Sequence, residues 1–121
     1  MYHAIAMGKI AADGSIISAT PGIRVRPTIL PGNIYNSAEI GYTVRLPKRL
    51  VSSDKYIVQL TPENYGEDGP DYVTTTIAVR YQTKRSFEVL IWADRTQTIG
   101  TPGSNNYALV QSNFHFVIYE V

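Results

Sequence analysis

The sequence predicts an all-β fold, an antiparallel β-sandwich of jelly-roll type with about seven or eight strands, and three observations carry that reading. Stretches such as "EIGYTVRL" and "KYIVQLT" alternate apolar and polar residues with a period of two. They recur at roughly 8–12-residue spacing, separated by clusters of Pro, Gly, Asn and Asp. No stretch shows helical periodicity, and a composition 44% hydrophobic, 17% charged and holding nine tyrosines favours strands around one core. At 121 residues the chain is expected to form a single domain over its whole length.

Taken in order, "HAIAMGKI" is an apolar run that meets a turn at "ADGS" and resumes in "IIS". Asp13-Gly14 is expected to supply the positive-φ residues of a tight hairpin there. Pro21, Gly22, Pro27, Pro31 and Gly32 then surround "IRV", so a strand in this region is short and lies at an edge. In "EIGYTVRL", Ile40, Tyr42, Val44 and Leu46 face one way, and Pro47 ends the run. After "KRLVSSD", the stretch "KYIVQLT" turns Tyr56, Val58 and Leu60 inward, and an antiparallel pair with the preceding strand is expected.

"PENYGEDGPDY" reads as a polar loop. "VTTTIAVRYQ" sets Val73, Thr75, Ile77, Val79 and Tyr81 on one face, with Tyr42, Tyr56 and Tyr81 all read as core tyrosines. After the turn "TKRS", "FEVLIW" sets Phe87, Val89 and Ile91 on one face and Leu90 and Trp92 on the other. The loop "ADRTQTIGTPGSNNYA" leads to "FHFVIYEV", where Phe114, Phe116 and Ile118 alternate with His115, Val117 and Tyr119. A sandwich covers one face of each strand and wets the other. Two strands apolar on both faces therefore need a second cover, and another copy of the chain would provide it. Leu90, Trp92, His115, Val117, Tyr119 and Val121 are the candidate residues of that interface.

Eleven Lys and Arg balance ten Asp and Glu, a charge of +1 that predicts neither nucleic-acid nor membrane binding. The absence of cysteine removes disulfides, thiolate nucleophiles and Cys-based zinc sites. The opening "MYHAIAMGKIAADG" lacks a basic region followed by a long apolar core, and no apolar run approaches the roughly 18 residues of a membrane span. His3 and His115 lack metal-site spacing, and Glu63, Glu67, Asp68 and Asp71 lack the calcium-loop pattern. No nucleophile elbow or phosphate loop is present, so neither catalysis, a cofactor nor a metal is expected. The basic pairs Lys48–Arg49 and Lys84–Arg85 fall in turns, and Tyr35, Tyr65 and Tyr107 fall in loops; these seven are the candidate partner contacts.

The order "GKIAADGSIISATPGI", "GYTVRL", "YIVQLTP", "SFEVLIW", "SNFHFVIYEV" resembles the small β-sandwich tip domains of bacteriophage fibres, needles and head decorations. The resemblance implies a homotrimer built like the globular heads of the tumour necrosis factor class, with the C-terminal strand near the threefold axis. It implies a virion structural protein made in the host cytoplasm, with itself and the major capsid protein or another virion protein as partners. With no coiled-coil or collagen-like stretch in these 121 residues, a free-standing knob that decorates or cements the capsid is the expectation. The alternative is a receptor-binding tip of a tail fibre or spike, touching a host surface glycan. A bacterial carbohydrate-binding module fits less well, because the one Trp lies in a strand.

Overall fold

The computed structural model describes residues 3–30, 39–63, 75–94, 107–109 and 111–120. Their strands are β1 (His3–Ile10), β2 (Ile16–Ala19), β3 (Arg24–Leu30), β4 (Glu39–Arg45), β5 (Ile57–Pro62), β6 (Thr75–Arg80), β7 (Ser86–Asp94), β8 (Tyr107–Leu109) and β9 (Phe114–Glu120). The first sheet runs β2-β1-β9-β5 and the second β3-β4-β7-β6, with all pairings antiparallel. β8 takes the flank of β7 at Trp92–Asp94, beyond the Ser86–Val89 segment that pairs with β4. The fold is a two-sheet β-sandwich, as the alternation predicts.

The core lies where the inner faces meet. Tyr42, Val44, Phe87, Val89 and Ile91 from the second sheet close over Ile10, Phe114, Phe116 and Ile118 from the first, all essentially without solvent contact. Aromatic rings lock the sheets together, Tyr42 on Phe114 at 5.0 Å and Phe87 edge-on to Phe116 at 5.6 Å. Each such buried side chain contributes about 1.5–3 kcal/mol. Gly8 lies opposite Phe116, and a Cβ at Gly8 would stand 2.6 Å from its ring, so the ring occupies the space a side chain would need.

The first hairpin forms as expected, with one change at its turn. Gly14 alone takes the left-handed conformation, at φ 91°. Gly14 N donates to Ala11 O and Ala11 N to Ser15 O, while Asp13 Oδ1 accepts from Ser15 N and Oγ. These hydrogen bonds from Ser15 hold the Asp13 carboxyl below the usual carboxylate range. β3 is an edge strand, as Pro27 requires, but it runs to seven residues rather than a short segment.

Two expectations fail. β4 and β5 do not pair; they belong to different sheets, and residues 46–56 cross between them. Leu46, Val51 and Tyr56 in that crossing are buried and close one end of the sandwich. Tyr81 is not a core tyrosine. β6 ends at Arg80, Tyr81 turns left-handed at φ 50° and is 68% exposed, with the Arg80 guanidinium 4.6 Å above its ring. Val73 lies outside the described residues.

Candidate functional site

The terminal strand β9 sits mid-sheet, hydrogen-bonded to β1 on one side and β5 on the other. Phe114, Phe116 and Ile118 point into the core, while His115, Val117 and Tyr119 alternate outward and are half-buried. Register places Met7 beside Val117 and Ile57 beside Tyr119 on that outer face. Met7 is 55% and Ile57 51% exposed, so an apolar band crosses three adjacent strands. Next to it, a shallow hollow of about 400 Å3 runs between Met7, Lys9 and Ser18 on one side and His115 and Val117 on the other.

At one end of the band stands Glu63, just past β5. Its Oε1 lies 3.3 Å from Lys9 Nζ and accepts from His115 Nδ1 at 3.2 Å. Burial pushes this carboxyl up, but the hydrogen bonds and charges of His115 and Lys9 outweigh that and hold it below the usual range. Ser112 and Asn113 fasten the base of β9 to the same corner. Ser112 Oγ donates to Glu63 O at 2.8 Å, Glu63 N donates to Asn113 O, and Asn113 Oδ1 accepts from Ala12 N. Tyr42 OH donates to Ala12 O at 2.5 Å and accepts from Ser112 N, which ties the second sheet in as well.

The opposite end of the sandwich is basic. The turn after β4, closed by Leu50 N donating to Pro47 O, and the β6–β7 turn, closed by Thr83 N donating to Ser86 O, come together there. Between them is an open hollow of about 530 Å3 lined by Lys48, Arg49, Lys84 and Arg85 together with Leu50, Val51, Ser52 and Glu120. Leu46 N donates to Arg85 O, Tyr56 OH to Thr83 O at 2.6 Å, and Gln82 Nε2 to Tyr56 O at 2.6 Å, so the two turns are cross-linked. Burial, aided by the Asp54 charge, pushes the Tyr56 hydroxyl up to about 12. Glu120 is held below the usual carboxylate range by Ser52, whose Oγ and N both donate to it.

The candidate interface therefore divides. His115, Val117 and Tyr119 share one face with Met7 and Ile57, whereas Leu90 and Trp92 lie on the outer face of the other sheet and cannot join them in one surface. Leu90 is also only 6% exposed within its own chain, which leaves a neighbour little to cover. Val121, Tyr35 and Tyr65 lie outside the described residues, as does the side chain of Tyr107. Met7 and Ile57 signal themselves in the sequence only as large apolar residues in the outward phase of their strands. Glu63 reads there as one of four loop acids without the calcium pattern; its pairing with Lys9 and His115 arises only through the β1–β9–β5 register.

Compared with protein-family models, curated proteins and solved structures, the chain matches none.

Proposed function

We propose that this chain is a structural module of a bacteriophage virion, a homotrimeric knob that decorates or cements the capsid through protein–protein contacts and performs no chemistry. The observation that carries the assembly part is the band of Met7, Val117, Ile57 and Tyr119 across β1, β9 and β5. Apolar side chains gathered on one outer face gain most by covering one another in a second copy. The phage setting rests on the resemblance of "SNFHFVIYEV" and the preceding segments to virion tip domains.

Light scattering on the purified chain tests the assembly. A mass three times the 13.5 kDa of one chain is expected. Val117→Asp, which places an unpaired charge in the band, should give folded monomers. Aspartate at Thr76, exposed on the second sheet, should leave the trimer intact. A monomeric parent chain would sink the proposal. Copy number separates the two virion sites: hundreds of copies per particle fit a decorating knob, and a handful fit a tail-fibre tip.

A further inference from the structure

The four cations around the end hollow come from two turns far apart in sequence, and the fold fixes both turns before any partner arrives. Among the described residues the ion pairs use Lys9, Arg80 and His115, and none uses Lys48, Arg49, Lys84 or Arg85. The one acid among the described residues of the wall, Glu120, already accepts two hydrogen bonds from Ser52. In a chain whose total charge is +1, this is a local concentration and not a general bias. Arg49 adds a second signal. It occupies the third position of the 47–50 turn at φ 66°, a left-handed conformation where glycine is the easy residue. A cation held in a strained conformation on the wall of this hollow is the kind of feature that functional sites retain.

We propose that this hollow receives an acidic polypeptide segment, with two or more carboxylates spaced to meet both turns. Guanidinium and ammonium groups on fixed backbones pair strongly with carboxylates. Leu50 and Val51 on the same wall suit the aliphatic stems between them. Among the described residues the lining holds no aromatic ring on which a sugar would stack, which sets a peptide ahead of an anionic glycan. The proposal rests on the assembly reading for there being a protein partner, and it gives that partner's chemistry.

Fluorescence anisotropy with a labelled hexaglutamate peptide and the full chain is the test. Saturable binding is expected, weakening as ionic strength rises through about 0.15 M, where the screening length is about 8 Å. The double variant Arg49→Gly, Lys84→Ser should bind about tenfold more weakly or worse. Arg26→Ser, on the outer face of β3 and off the hollow, should bind like the parent. Glycine suits the backbone at Arg49 and Lys84 is exposed, so the double variant should still fold, and its melting curve checks this. No saturable binding, an undiminished affinity in the double variant, an equal loss in Arg26→Ser, or tighter binding of a sulfated oligosaccharide would each overturn the proposal. Light scattering on the same samples keeps the two readings apart. A trimer that ignores the peptide sinks only the hollow, and a monomer that binds it sinks only the assembly.

Discussion

On the outer face of the first sheet Met7 stands beside Val117 and Ile57 beside Tyr119, whereas the second sheet sets Arg24 opposite Arg45 and pairs Arg80 with Glu88 at 2.8 Å. Thr28 and Thr43 add a hydroxyl pair there. Inward, the two sheets are alike, contributing Phe, Tyr, Ile and Val to one cluster. The inward phase of each strand answers to the shared core and so carries no information about a partner. The outward phase is free of that demand, and its difference between sheets points to different surroundings. Water satisfies the arginines and threonines of the second sheet, whose outward Leu90 and Trp92 are already buried and half-buried within the chain. Water gains nothing from Met7 and Ile57.

If the sheets differ only on their outsides, damage to the shared core must unfold both together. Phe116→Ala removes the ring that meets Phe87 across the sandwich, with an expected loss of about 3–5 kcal/mol. Trp92, the only tryptophan, lies in the second sheet and reports on it by fluorescence, while far-ultraviolet circular dichroism follows both sheets. The urea midpoints from the two probes should fall together. A tryptophan transition that stayed in place would mean two separable sheets, and the comparison of outer faces would lose its basis.

Tyr56 probes the seam where the chain crosses from one sheet to the other. Its hydroxyl donates to Thr83 O and Ser86 O, and its ionisation is pushed up to about 12 from an ordinary 10.0. The folded chain thus holds this proton more tightly than the unfolded one. Its contribution to stability is complete below about pH 10 and is lost as pH climbs towards about 12. Tyr56→Phe, which has no such proton, should show a shallower fall in melting temperature over that window than the parent. Equal slopes would show that the seam does not depend on this hydroxyl.

Alternation made the inward residues legible: Tyr42, Val44, Phe87, Val89, Phe114, Phe116 and Ile118 could all be read from a period of two. Pro27 gave away an edge strand. Alternation says which side of a strand is buried but not which sheet it belongs to, and so the β4–β5 pairing was misread. The signal for the crossing was present in Leu50 and Val51, apolar residues in what looked like a polar turn. Tyr81 continued the period beyond the end of its strand, where a left-handed residue reversed its direction. The basic hollow was half legible. Each pair of cations marked a turn, but nothing local shows that Leu46 N and Arg85 O will join the two turns.

The smallest expected effect compares two left-handed residues at the boundaries of the second sheet. Arg49 sits where the chain leaves that sheet, and Tyr81 sits in the loop that joins β6 to β7. A non-glycine residue in this conformation costs on the order of 1–3 kcal/mol, and glycine relieves that at an entropic cost of about 0.5–1 kcal/mol. At Tyr81 the Arg80 guanidinium over the ring returns about 0.5–1 kcal/mol, which glycine forfeits. Arg49 has no such stacking partner among the described residues. Arg49→Gly should therefore raise the melting temperature, by about 4 °C for each kcal/mol of net relief, and Tyr81→Gly should leave it level or lower it. Stability gained by deleting a cation from the hollow would mean that Arg49 is retained for what it binds. If Arg49→Gly instead melted lower than the parent, the arginine would be holding the crossing together, and the strain at φ 66° would no longer distinguish this end of the sandwich from the other.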